Sequence, residues 1–233
     1  MQPPSSRISG PERPLWTTAY LTHAPVGSMS CVVCAGQPPK AALDTLHPLE
    51  RDFSLGLRPR RRSEWIGGRL CLASAASKFR GTRHAHLTDL RGAPLMPSRI
   101  AGSISHKGPL ALALVSSSTQ AIGVDLEYAE EHDTRLSNRV LTKSERQRGK
   151  CLSPTEAARF VNWHFSAKEA IYKAAGQSLQ ERLDFLDICL TIPLATDRGV
   201  WHEVPTLVFG KRFRGRVGLF ADGPWSIAYA AVS

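Results

Sequence analysis

The sequence predicts an α+β fold in which small antiparallel sheets pack on long helices. Three observations carry that expectation. From Ser153 to Ala175, the residues Phe160, Trp163, Ala167, Ala170, Ile171 and Ala174 recur at helical spacing behind a capping signal. The stretch Ile122-Gly123-Val124-Asp125-Leu126-Glu127 alternates with the period of a strand. The C-terminal tail holds three short strand-like segments separated by turn signals.

Composition bounds the rest. The chain of 233 residues makes one large domain or two small ones. Its 42% hydrophobic content and mean hydropathy of −0.20 describe a soluble globular protein. Apolar runs such as Leu110–Val115 are far too short to span a bilayer, so no membrane partner is expected. The polar, proline-rich start from Met1 to Arg13 lacks the apolar core of a secretion signal, which makes a cytoplasmic location the expectation. Five cysteines, an odd number, argue against a disulfide framework. Cys31 and Cys34 form a lone CxxC without the second pair that zinc would need. The net charge of +10 favours an anionic partner: nucleic acid, a polyphosphate ligand or an acidic protein.

Taken in order, residues 1–14 read as a flexible arm, with Pro3, Pro4, Pro11 and Pro14 and little apolar content. Val26–Ala35 reads as an early strand. Pro38–Glu50 reads as a short helical piece with Asp44 and His47 exposed. Pro59 opens a helix over Arg58–Ala76, with Trp65, Ile66, Leu70, Leu72 and Ala73 on its apolar side. Arg61 and Arg69 lie eight residues apart, slightly over two turns, and so share a face. Gly92, Pro94 and Pro97 mark Gly81–Arg99 as loop. Gly102-Ser103-Ile104-Ser105-His106 then leads into a buried strand at Leu110–Val115. With Ser116–Gln120 as a turn, His106 and Asp125 are expected on successive antiparallel strands that bring them together.

Thr142-Lys-Ser-Glu145 fits a capping box that starts a short helix. Ser153-Pro154-Thr155-Glu156 starts the long one, and Gly176 is its natural stop. Asn162, Ser166, Glu169 and Lys173 form a polar stripe along it. Val204–Phe209, Arg214–Phe220 and Trp225–Val232 read as a meander.

On the acidic strand, Asp125 and Glu127 point the same way, roughly 6.5 Å apart. Two carboxylates that close repel unless something positive stands between them. Oxygen-only ligands suit a hard divalent cation such as Mg²⁺ or Ca²⁺, and solvated acids at a strand end are the plainer explanation. Glu169 and Lys173, four apart on one helix face, could equally be a surface ion pair of about 0.3–0.5 kcal/mol. Taken together, three carboxylates, two lysines, a histidine and several arginines meet the needs of a metal-bridged pyrophosphate.

Gly-Ser-Ile-Ser-His106, Ile-Gly-Val-Asp125-Leu-Glu127 and Phe-Ser-Ala-Lys168-Glu169-Ala-Ile-Tyr-Lys173 resemble, in order and spacing, the three signature blocks of the 4′-phosphopantetheinyl transferases. The length resembles the larger, monomeric type that serves siderophore, nonribosomal-peptide and polyketide synthases. The resemblance covers roughly Arg58 to Leu183. It implies a pseudo-twofold pair of similar α+β halves, each a small antiparallel sheet on a long helix. The halves would be residues 15–118, with the coenzyme A-binding arginines and the Gly-Ser-Ile-Ser-His segment, and residues 119–233, with the metal and catalytic residues.

The function implied is transfer of the 4′-phosphopantetheine arm of coenzyme A to a serine of an acyl or peptidyl carrier protein. The reaction would depend on Mg²⁺, with Mn²⁺ as the alternative, and would release 3′,5′-ADP. Asp125, Glu127 and Glu169 fall on the family's metal positions, and Glu169 also on its general base. Lys173 falls on a phosphate-contacting lysine, and Lys168 would add positive potential. His106 falls on a histidine that meets the coenzyme A phosphates, and Arg61 and Arg69 on a pair gripping the 3′-phosphate. Arg91 matches a basic position near the adenosine, where Ser103 and Ser105 would supply neutral hydrogen bonds. Two other classes compete. A nucleic-acid binder built on Arg58–Arg69 lacks interleaved aromatics and any recognised motif. A Mg²⁺-dependent phosphohydrolase would use the same acids without needing Arg61 and Arg69.

Overall fold

The computed structural model describes residues 18–33, 37–79, 85–90, 92–117, 120–128, 134–178, 183–194, 200–208, 215–222 and 225–232. The arm expected at residues 1–14, Arg91 and Cys34 lie outside them. The chain divides into two compact units between residues 119 and 120.

The first unit contains β1 (Thr18–Ala24), β2 (Gly27–Val33), α1 (Lys40–Thr45), α2 (Pro48–Leu55), α3 (Pro59–Ala76), β3 (Ala101–Lys107) and β4 (Leu110–Ser116). Its strands form an antiparallel sheet in the order β1-β2-β4-β3. β4 pairs with β2 and β3 along its two edges and is buried along its whole length. One face of this sheet packs on α3, where Cys71, Leu72, Ala75 and Ala76 meet Val32, Ala111, Ala113 and Val115. The continuous apolar run of β4 therefore reflects a central strand with both faces covered.

The second unit contains β5 (Ala121–Tyr128), α4 (Thr134–Val140), α5 (Lys143–Arg148), α6 (Pro154–Ser178), β6 (Ile188–Leu190), β7 (Trp201–Glu203), β8 (Thr206–Val208), β9 (Gly215–Asp222) and β10 (Trp225–Val232). The main sheet runs β5-β10-β9-β7, and β6 and β8 form a separate pair. Trp163, Ala167, Ala170, Ile171 and Ala174 of α6 share one core with Val217, Leu219, Ala228 and Ala230 of the sheet. The run of alanines lets helix and sheet approach closely. At Gly123 an added Cβ would lie 1.9 Å from the carbonyl oxygen of Ala170, so only glycine fits. Among the described residues no helix is long and apolar enough to cross a membrane.

Four sequence expectations needed correction. β5 does not pair with β4, whose edges β2 and β3 already fill, but with β10. The expected hairpin joining His106 to Asp125 therefore does not form. The tail is not a simple meander: β8 pairs with β6, and β7 takes the free edge of β9. The Pro38–Glu50 piece is two helices. His47, expected to be merely exposed, is the N-cap of α2, its ring nitrogen accepting from the Leu49 N–H while Glu50 accepts from the His47 N–H. Gly176 does not stop α6, which runs to Ser178. The capping boxes read at Thr142 and Ser153 are present.

Candidate functional site

β5 and α6 position the acidic site of the second unit. The strand alternates as its sequence dictates, with Gly123, Asp125 and Glu127 on the face shared with Ala230, Ala228 and Ser226 of β10. Gly123 lies under Ala170 and Ala174, and the Lys173 ammonium donates to Asp125 Oδ1 at 2.7 Å and to the Val124 carbonyl at 3.1 Å. Ser226, directly opposite Glu127, donates to Asn162 Oδ1 at 2.6 Å. The polar stripe of α6 thus runs antiparallel to β5, placing Glu169 on the stretch between Lys173 and Asn162.

The charges of these residues act on one another. Burial, the Asp125 carboxylate and Glu127 together hold the Glu169 carboxyl above the usual carboxylate range, against the pull of Lys173. Asp125 itself is 3% exposed. Among the described residues, however, no three His, Cys, Asp or Glu side chains stand close enough together to hold a metal ion. The expected triad is an acidic neighbourhood in which Lys173 takes one Asp125 oxygen, not a preformed chelate. Its donor chemistry, carboxylate oxygens within mutual Coulombic reach, fits a hard divalent cation. A groove of about 560 Å³ opens beside Glu169, walled by residues that include Leu136, Val140, Phe165, Tyr172 and Phe185.

Lys168 is not at this site. Its ammonium is wholly buried and donates to Glu145 Oε2 at 2.7 Å, to the Val140 carbonyl at 2.7 Å and to the Phe185 carbonyl at 3.1 Å. Successive helix residues point about 100° apart, so with Glu169 on the groove Lys168 faces the interior. The expectation that it lends positive potential to the substrate is corrected accordingly.

In the first unit, α3 and β3 hold a basic cluster. Arg61 donates through Nη1 to His106 Nε2 at 2.5 Å, which leaves the proton of a neutral ring on Nδ1, 3.7 Å from Glu64 Oε2. Glu64 also pairs with Arg60 at 3.2 Å and Arg61 at 3.4 Å. Arg61 is half exposed and has donors to spare. Arg69 differs from its expected partner. It is 3% exposed, with its guanidinium 4.6 Å from the centre of the Trp65 ring. Burial pulls its pKa down to about 10, Glu50 opposing and Arg61 adding to the fall. The two arginines share a neighbourhood, but only Arg61 presents to solvent. Ser103 and Ser105 are buried on the face of β3 opposite to His106. Arg91 lies outside the described residues.

Sequence reasoning did not link three acids to the basic groups it singled out. Glu64 pairs with Arg61, Glu145 pairs with Lys168, and Glu50 acts on Arg69 by its charge. Glu64 carried a local pairing signal, three and four residues past Arg61 and Arg60, whereas the capping box at Glu145 gave no hint of Lys168.

Residues 121–214 match the model of the 4′-phosphopantetheinyl transferase superfamily. Residues 57–116 match that of the 4′-phosphopantetheinyl transferase N-terminal domain. The enterobactin synthase component D of Escherichia coli O157:H7 is 34% identical over 131 residues, 55% of this chain and 60% of the relative. The 4′-phosphopantetheinyl transferase Npt of Nocardia iowensis is 29% identical over 191 residues, 78% of this chain and 84% of the relative. The matched stretch thus spans only about 60% of the length of the enterobactin relative. A crystal structure of a holo-(acyl-carrier-protein) synthase from Bacillus anthracis, in complex with coenzyme A (3′,5′-ADP), aligns at 24% identity and TM-score 0.37, covering 48% of this chain and 94% of its own.

Proposed function

The chain belongs to the 4′-phosphopantetheinyl transferase superfamily, in its larger form, and from that premise we propose that it is an enzyme moving the phosphopantetheine arm of coenzyme A onto a carrier-protein serine. The observation that carries the proposal is Glu169, whose carboxyl is raised by burial and by Asp125 and Glu127 while Lys173 lies against the same strand. A base whose pKa is raised toward the working pH takes a proton more effectively than an ordinary carboxylate.

In the reaction, Glu169 takes the proton of the carrier serine. The serine oxygen forms a bond to the β-phosphorus of coenzyme A, the bond from that phosphorus to the bridging oxygen breaks, and 3′,5′-ADP leaves. Asp125, Glu127 and Glu169 would hold Mg²⁺, which when bound draws charge from the pyrophosphate and eases departure of the leaving group. Lys173 steadies the phosphates as a point charge. Arg61 and His106 bind the coenzyme A phosphates, Arg61 through its remaining guanidinium donors. Arg69 reinforces the positive field around Arg61 from the interior.

The division of labour runs from a binding half at 15–118 to a catalytic half at 119–233. The net charge of +10 suits carrier proteins that are acidic around the modified serine. The partner on this reading is an acyl or peptidyl carrier protein and the enzyme a cytoplasmic monomer, and similarity to an enterobactin synthase component supports a place in siderophore assembly.

The test is to mix the protein with coenzyme A, Mg²⁺ and a panel of apo carrier proteins and to weigh each carrier. A gain of one phosphopantetheine arm supports transfer. Adenosine nucleotide released with no carrier modified points to a hydrolase. Salt-sensitive binding of DNA with neither change points to a nucleic-acid binder.

A further inference from the structure

Lys168 is among the largest side chains wholly sealed in the interior, where burial pulls its pKa down and the Glu145 carboxylate opposes the fall. Its three N–H bonds are used by three acceptors on three elements: Glu145 of α5, the Val140 carbonyl at the end of α4, and the Phe185 carbonyl. Glu145 is as fully engaged. Oε2 also accepts from the Thr142 N–H at 2.7 Å, and Oε1 accepts from the Leu190 N–H at 2.7 Å. Burial pushes the Glu145 carboxyl up, but His164, Lys168 and the Leu190 N–H outweigh it and hold the group below its ordinary value. The start of α5, the end of β6 and the middle of α6 therefore meet at one carboxylate.

Val140 and Phe185 also line the groove that holds Glu169. The residue next to Glu169 in the chain thus anchors two walls of that groove from behind. We propose that Lys168 and Glu145 are positioning residues, whose buried ion pair fixes the α4 and Phe185 walls against α6 so that the carrier serine meets Glu169 at hydrogen-bonding reach. The inference rests on the transferase reading. It assigns Lys168 no contact with coenzyme A. A misplacement of about 1 Å in such a wall is enough to cost a large factor in rate.

Two variants test it, each compared with wild type for kcat and KM toward an apo carrier, Kd for coenzyme A, and melting temperature. Glu145→Gln keeps the size of the side chain and one acceptor oxygen, which makes it the deciding variant. Lys168→Met keeps the stem and removes the ammonium, at greater risk to folding. Assayed well below its own melting temperature, each variant is expected to lose about tenfold or more in kcat/KM for the carrier. The Kd for coenzyme A should stay within about twofold of wild type in both. Unchanged kcat/KM in Glu145→Gln would make the pair merely structural and overturn the inference. So would a coenzyme A Kd weakened about tenfold in Lys168→Met alone, the mark of a direct phosphate contact. A wild-type protein that modifies no carrier would overturn the transferase reading and this inference with it. A wild type that transfers while both variants match it would overturn this inference alone.

Discussion

The ammonium of Lys173 lies 2.7 Å from Oδ1 of Asp125, so a single side chain ties the later part of α6 to the acidic strand β5. The same ammonium reaches the Val124 carbonyl at 3.1 Å. Lys173→Met should leave Asp125, which is 3% exposed, without its cation, destabilising the fold by on the order of 1–3 kcal/mol. If Lys173 also steadies the pyrophosphate, the variant should bind coenzyme A about tenfold or more weakly by calorimetry. Stability lost without any change in coenzyme A affinity would confine Lys173 to the ion pair.

Glu169→Gln should separate activity from stability. The folded-state pKa of Glu169 is raised by burial, Asp125 and Glu127. A carboxyl with a raised folded pKa favours the native state at low pH, and that contribution is lost as pH rises through the folded pKa. At neutral pH the wild-type charge is therefore a cost, and the neutral amide should raise the melting temperature by roughly 2–4 °C per kcal/mol relieved. Transfer should be abolished at the same time. A variant no more stable than wild type at neutral pH would contradict the crowded-acid description.

Gly123→Ala tests the close approach of helix and strand. Its Cβ would stand 1.9 Å from the Ala170 carbonyl, a backbone atom that a side-chain rotation cannot move. The variant should lose several kcal/mol, of the size seen for overpacking combined with backbone shift, roughly 3 kcal/mol or more. Urea denaturation measures this, and a loss under about 0.5 kcal/mol would mean that α6 lifts from β5 without resistance.

Those residues also mark what the sequence made legible. The alternation of β5, the apolar face of α6 and the capping boxes at Thr142 and Ser153 are local patterns, and each was readable because local periodicity and hydrogen bonding decide it. Strand pairing was not. Whether β5 joins β4 or β10 depends on which edges are already filled, a fact settled a hundred residues apart in the chain. The same holds for the site. Spacing put Asp125 on one strand face with Glu127 and Glu169 on one helix face with Lys173, and the resemblance supplied the roles expected of them. Lys168 looked identical in kind to Lys173, and only the packing of Glu145, Val140 and Phe185 around it sets the two apart.

His164 governs behaviour in acid. It is fully buried, with Nδ1 donating to the Phe160 carbonyl at 2.7 Å and Nε2 3.8 Å from Glu145. Burial pulls its pKa from 6.5 to about 4, against the opposing pull of Glu145. Between those values the unfolded chain binds the proton and the folded chain does not. Stability from this group is thus complete above pH 6.5 and is lost as pH falls from there toward 4, by roughly 3 kcal/mol in all. In His164→Leu, stability measured across that window should be flatter by a comparable amount. An unchanged slope would remove His164 from the acid response.

The most direct measurement is the mass of an apo carrier protein after incubation with coenzyme A and Mg²⁺, using wild type in one reaction and Glu169→Gln in the other. The account predicts that the carrier gains one phosphopantetheine arm with wild type and nothing with the variant. A carrier modified equally by both would contradict the assignment of the reaction to the acids of β5 and α6.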